Sequence, residues 1–141
     1  MNLEENSTTI EKEGESFFFD TYAFYEILNG NKYYRAYVNS EIVTSKLNIF
    51  ELYLIIMRDT NEEKAEEALA KYYGFCEDFD EVVIKNAVKM KRELNKRKLS
   101  MTDCIGYMMA RQLGIKFLTG DEQFKDMENV EFLNITRDLN N

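Results

Sequence analysis

The chain has no histidine, no proline and no tryptophan in 141 residues. Without histidine it lacks the commonest general base near neutral pH and the commonest zinc ligand. Any metal site must then be built from oxygen donors, which suit Mg²⁺, Mn²⁺ or Ca²⁺. Without proline, most turns fall to glycine, of which there are six. Cysteine is scarce: Cys76 and Cys104 stand far apart and form no CxxC. A disulfide framework is therefore not expected, and a reducing, cytoplasmic setting fits best. No apolar run approaches the roughly 18–20 residues that a membrane span needs. The first fifteen residues, MNLEENSTTIEKEGE, lack the basic start and apolar middle of a secretory signal. They are read as an acidic flexible tail, residues 1–15, ahead of one domain over 16–135 and a polar end at 136–141.

What remains is a strand–helix alternation. Ser16–Phe19 (SFFF) is a short apolar run suited to a buried strand. A helix follows to Leu28, stopped by Asn29-Gly30-Asn31, and Lys32–Val38 is a second short helix. Glu41–Thr44 (EIVT) is β-branched and reads as a strand. Ser45 caps a helix with Leu47, Phe50, Leu54 and Ile55 on one face, and Thr60 or Asn61 caps another that Gly74 ends. Phe75–Phe79 suggests a short edge strand. Asp80 opens a helix with Val83, Ala87, Met90 and Leu94 at helical spacing. Ser100 or Thr102 starts the next, and Gly114 caps its end. Ile115–Thr119 is a strand, DEQFKDM a short helix and Val130–Leu133 a last strand. Strands separated by helices predict an α/β fold with a mainly parallel sheet covered on both faces.

Acids fall at the connections of that sheet. Asp20 follows the first strand, Asp121 follows IKFLTG, Asp103 lies in the first turn of the helix before that strand, and Glu51 interrupts an apolar helix. Each has a plain structural reading. Asp20 and Asp121 suit helix N-caps, and Asp103 completes a capping box with Ser100. Glu51 suits the border of its helix face or a capping pair with Asn48. Open parallel sheets bind ligands beyond the carboxyl ends of their strands, however. Carboxylates gathered there repel one another until a cation neutralises them. Two or more carboxylates with water make the usual Mg²⁺ site, which supports phosphoryl chemistry.

The net charge of −8 argues against indiscriminate nucleic-acid binding. Even so, residues 85–98 carry seven basic side chains against Glu93 alone. This stripe is either a solvated helix face or a local anion site, and it places Lys96, Arg97 and Lys98 just before the Asp103 helix.

FFFDTYAF, TSKLNIFELYL, MTDCIGYMMARQLG and FLTGDEQF, in that order, resemble the four acid-bearing motifs of PIN domains, above all the small VapC-type toxins. The resemblance spans about residues 16–135. It implies a three-layer αβα sandwich and a Mg²⁺- or Mn²⁺-dependent endoribonuclease that leaves a 5′ phosphate and a 3′ hydroxyl. Asp20, Glu51, Asp103 and Asp121 become the catalytic and metal-holding quartet, with Asp20 and Asp103 the strongest ligands. Thr21 and Thr119 support it by hydrogen bonding, Lys96, Arg97 and Lys98 contact RNA phosphates, and Asp126 is a surface acid. An antitoxin partner and a homodimer are further expectations; Tyr22, Phe24, Tyr25, Tyr33, Tyr34 and Tyr37 are read either as core, as aromatics at helical spacing usually are, or as contact area for such a partner. Two other functions stay open on the same fold: an RNA-maturation nuclease, or a non-catalytic RNA- or protein-binding module. An aspartyl-nucleophile phosphohydrolase fits poorly, because position 22 is Tyr where a second acid is wanted.

Overall fold

Ser16–Phe19 forms β1, and its three phenylalanines divide between two cores. Phe17 and Phe19 face one side of the sheet and Phe18 the other. A strand covered on both faces has no solvent side to alternate with, hence the unbroken aromatic run. The structure, a computed structural model, describes residues 12–134.

Around β1 the order is α1 (Thr21–Leu28), a 3₁₀ turn (Lys32–Tyr37), β2 (Glu41–Val43), α2 (Lys46–Asp59), α3 (Glu62–Tyr72), a 3₁₀ turn (Tyr73–Phe75) and α4 (Glu81–Glu93). Then come α5 (Met101–Leu113), β3 (Lys116–Thr119), a 3₁₀ turn (Glu122–Phe124) and β4 (Val130–Phe132). The sheet runs β2-β1-β3-β4 and every pairing is parallel. Phe18 sits opposite both Val43 and Phe117. Residues from α1, α2 and α3 cover one face and residues from α4 and α5 the other. The fold is thus the expected αβα sandwich. α5 packs tightly on the sheet at Gly106, where an added Cβ would lie 2.9 Å from the Phe18 ring and 3.2 Å from that of Phe117.

The predicted caps form. Ser45, Asn61, Asp80 and Ser100 each accept a backbone N–H at their helix starts, and Gly114 ends α5 at φ 71°.

Several expectations change. α2 buries Ile49, Leu52 and Ile56, while Phe50 and Leu54 are 69% and 58% exposed. KLNIFELYLIIM is apolar almost all round, so periodicity alone could not choose the buried face. Phe75–Phe79 is not a strand. Thr44 bridges to Cys76 alone, held by Thr44 N–H to Phe75 O at 3.0 Å and Glu77 N–H to Thr44 O at 2.9 Å. Gly74 lies inside the 3₁₀ turn rather than ending α3. Of the six aromatics left open between core and contact area, Phe24, Tyr34 and Tyr37 are core.

Of the proposed tail, residues 1–11 lie outside the described residues, as does 135–141 at the other end. Residues 12–15 dock on the domain: Lys12 pairs with Glu131 at 3.2 Å, and Glu15 O accepts the Glu41 N–H at 2.8 Å. Among the described residues no helix is long and apolar enough to cross a membrane.

Candidate active site

β2 lies on one side of β1 and β3 on the other, so the strand order reverses beside β1. In open parallel sheets the carboxyl ends at such a reversal form the natural ligand crevice. Here that crevice is a cavity of about 320 Å³ lined by Asp20, Thr21, Tyr22, Tyr25, Glu51, Ile55, Arg58, Asp103 and Asp121. The four candidate acids come from four places in the chain: the end of β1, the middle of α2, the first turn of α5 and the connection after β3. A larger hollow of about 540 Å³ beside α2 is lined mainly by apolar side chains. The concentration of titratable groups, not volume, distinguishes the acidic cavity.

Asp20 is the most buried of the four acids, at 3% exposure. Its Oδ1 accepts the Thr21 N–H at 2.9 Å, the bond of a helix N-cap. Its Oδ2 accepts the Thr119 hydroxyl at 2.6 Å. Thr119 Oγ1 in turn accepts the Asp121 N–H at 3.1 Å, which leaves its proton for Asp20. Burial, then the nearby charge of Asp103, push the Asp20 carboxyl up to about 8, against the opposing pull of the Thr119 and Thr21 bonds. Asp103 is raised to about 6, chiefly by burial, with Asp121 and Glu51 adding repulsion and the Ser100 bonds opposing it.

Every plain structural reading of the aspartates also holds. Asp103 Oδ2 accepts the Ser100 N–H at 2.8 Å while Ser100 Oγ accepts the Asp103 N–H at 3.1 Å, a complete capping box. Asp121 caps the short turn after β3 through the Gln123 N–H at 2.9 Å. The caps fix where the carboxylates stand, so capping and site formation are one arrangement.

Glu51 Oε1 accepts the Thr21 hydroxyl at 2.9 Å. Behind Thr21 stands Asn48, fully buried, whose Nδ2 donates to Thr21 Oγ1 at 3.1 Å. Asn48 Oδ1 accepts the Ser45 hydroxyl at 2.6 Å. Asn48 therefore serves Ser45 and Thr21, not Glu51 as the capping-pair reading had it. The sequence signal was a polar residue three positions after the cap, in an otherwise apolar helix start.

Arg58, Tyr22 and Tyr25 were not expected at the site as working residues, yet all three line the cavity. Lys96, Arg97 and Lys98 do not. Arg97 donates to Gln123 O at 2.6 Å, and the Lys98 N–H reaches Gln123 Oε1 at 3.0 Å. This loop ties down the turn that carries Asp121. Asp126 is exposed, as expected.

The donor set suits a hard divalent cation: all oxygen, with two acids raised partly by repulsion from other acids, a repulsion that a cation removes. Among the described residues no three acids converge closely enough to form a ready-made cage. Mg²⁺ does not require one, because it keeps several waters and binds through one or two carboxylates.

The PIN domain family model matches residues 17–130. Several solved structures share the fold, three of them as follows. A toxin–antitoxin complex from Klebsiella pneumoniae aligns at TM-score 0.63 and 16% identity, over 80% of this chain and 93% of that one. VapC20 of Mycobacterium tuberculosis, a toxin that cleaves the sarcin–ricin loop, aligns at 0.69 and 16%, over 84% and 98%. VapBC2 from Rickettsia felis, bound to a DNA fragment from its promoter, aligns at 0.65 and 17%, over 84% and 97%. No curated relative matches the chain by sequence.

Proposed function

Because the chain belongs to the PIN domain family, we propose that it is a divalent-cation-dependent endoribonuclease and the toxin of a toxin–antitoxin pair. The observation that carries this reading is the convergence of Asp20, Glu51, Asp103 and Asp121 on one cavity at the carboxyl ends of β1 and β3.

In this reading Asp20 and Asp103 hold Mg²⁺ or Mn²⁺, with Asp121 and Glu51 completing the acidic ring. A bound ion supplies Lewis acidity toward the scissile phosphate and a lowered pKa for water. The chain's own residues set the stage. Thr119 and the Thr21 N–H take both oxygens of Asp20, which favours its charged form. Thr21, anchored by Asn48, fixes one oxygen of Glu51. The capping box holds Asp103 at a set position on α5. Burial around Asp20 lowers the local dielectric, which would strengthen the pull of its carboxylate on a cation held there. Lys96, Arg97 and Lys98 serve RNA only at long range, by offsetting the negative charge beyond the Asp121 turn.

The partner half of the reading draws on toxin–antitoxin complexes among the structural neighbours. The exposed Phe50, Leu54 and Met57 of α2 offer apolar area for an antitoxin-type protein. The homodimer belongs to the same reading, and light scattering of the purified chain checks it.

The direct test incubates the purified chain with RNA, with and without Mn²⁺, beside Asp20→Asn. Cation-dependent cleavage that Asp20→Asn abolishes is expected. Equal cleavage by both proteins, or none by either, overturns the assignment.

A further inference from the structure

Among the described residues, the acidic cavity has one cationic side chain in its lining, Arg58. It reaches the cavity by helical spacing: Glu51, Ile55 and Arg58 stand at i, i+4 and i+7 on α2, and all three line the wall. Its guanidinium is held sideways. Nε donates to Asp59 Oδ1 at 2.8 Å and Nη2 to Asp59 Oδ2 at 3.3 Å. Tyr25, on α1, donates its hydroxyl to the same Asp59 Oδ2 at 2.9 Å. These bonds hold Asp59 below the usual carboxylate range.

Stability does not explain this arrangement. The Arg58 and Asp59 side chains are 69% and 35% exposed, and exposed ion pairs contribute little. What the pairing does achieve is orientation. Asp59 takes the Nε–Nη2 edge, so the N–H groups of the Nη1–Nη2 fork are left unengaged by it. That fork is the shape that grips a phosphate through two parallel hydrogen bonds.

We propose that Arg58 holds a phosphate of the polynucleotide at the cleft, and that Asp59 and Tyr25 are positioning residues that aim its guanidinium. This rests on the nuclease reading above and assigns it a substrate contact. A polyanion approaching four carboxylates needs an opposing charge at the wall, and Arg58 is where α2 supplies it.

The test uses the full chain. Cleavage of a single-stranded RNA oligonucleotide is followed for wild type, Arg58→Ala, Arg58→Lys and Asp59→Asn in Mn²⁺. Binding of the same oligonucleotide is measured over a KCl series in an Asp20→Asn background. Losing one charge-assisted contact raises KM roughly tenfold, with kcat changed less than about threefold. The slope of log K against log salt becomes shallower by about 0.7, the value for one phosphate on a single strand. Arg58→Lys regains the salt slope and part of the KM, and Asp59→Asn falls between wild type and Arg58→Ala. Thermal unfolding stays within about 2 °C of wild type, since the pair is exposed.

If wild type cleaves RNA while Arg58→Ala keeps its KM and salt slope, this inference is overturned and the nuclease reading stands. A fall in kcat alone also overturns it. If wild type neither binds nor cleaves RNA, both fail together.

Discussion

Thr119 at the end of β3 donates its hydroxyl to Asp20 Oδ2 at 2.6 Å, joining residues ninety-nine positions apart in the chain. Thr119 Oγ1 itself accepts the Asp121 N–H at 3.1 Å. One hydroxyl thereby sets the distance between two acids that would otherwise only repel, and it does so from the central pair of strands. Replacing Thr119 by Val keeps the β-branched shape and removes both bonds. We expect a loss of about 1–3 kcal/mol in urea unfolding, because a buried N–H and carboxyl lose partners. Cleavage at pH 7 should drop by roughly tenfold, since Asp20 loses the bond that opposes its raised pKa. Thr119→Ser should restore most of both. Full activity in Thr119→Val would show that the hydroxyl plays no part in tuning Asp20.

Cation binding should appear as stability. A ligand at a hundred times its Kd adds about 2.7 kcal/mol, which for a domain of this size raises Tm by on the order of 5–10 °C. Differential scanning fluorimetry with Mn²⁺ should show that rise in the wild type and little of it in Asp20→Asn. A rise of the same size in both would place the ion elsewhere.

Without a divalent ion, stability should fall as pH rises. The raised carboxyls of Asp20, about 8, and Asp103, about 6, bind protons in the folded state well above their ordinary value of 3.8. Between about pH 4 and 8 the folded chain therefore holds more protons than the unfolded one, and each unit of pH costs up to about 1.4 kcal/mol per group. Guanidine melts in EDTA should show the midpoint declining steadily from pH 5 to 8. Asp20→Asn should flatten that decline, as should Mn²⁺. A midpoint that climbs over this range would contradict the burial of Asp20.

Much of this architecture was legible in the sequence. Caps announce themselves locally, because Ser45, Asn61, Asp80 and Ser100 act on backbone groups within three residues. The order of strands and helices followed from SFFF, EIVT and IKFLT and from the amphipathic segments between them. The buried face of α2 was not legible, since partners distant in sequence decide which side of an all-apolar helix is covered. The convergence of the acids came from strand ends plus family resemblance; spacing alone could not show that Thr119 faces Asp20. Nothing local in the sequence marks Arg58 and Asp59, because their meeting with Tyr25 is made by the fold. Lys96, Arg97 and Lys98 looked the better anion site because charge runs are visible in one dimension, whereas a single arginine on the right face is not.

Asn48 should prove the silent support of Glu51. Asn48→Leu fills the same space but leaves the Ser45 hydroxyl without its side-chain acceptor and Thr21 without the Nδ2 donor, its link to residue 48 kept only through the longer bond to the backbone carbonyl. A cost of about 1–3 kcal/mol in unfolding is expected. A fall in kcat should accompany it while the KM for RNA changes little, because Glu51 is loosened and Arg58 is not. Unchanged kcat would mean that the network merely fills the core.

Two glycines separate packing from function. At Gly106 an added methyl comes nearest to the rings of Phe18 and Phe117 in the core, and Gly106 does not line the cavity. At Gly120 it meets the Tyr22 ring and the Leu133 carbonyl. That carbonyl is fixed by the Tyr34 hydroxyl at 2.6 Å, and the Leu133 N–H is tied to Thr119 O at 2.9 Å, so backbone must move. Each alanine should cost about 1–3 kcal/mol by overpacking, with Gly120→Ala at the upper end. Only Gly120→Ala should also lower cleavage per folded molecule, since Tyr22 lines the cavity and Asp121 directly follows the strained peptide. Chemical unfolding paired with cleavage rates, both corrected for folded fraction, makes the comparison. Equal loss of activity in the two variants would mean that stability alone was read out and that Gly120 does not shape the site.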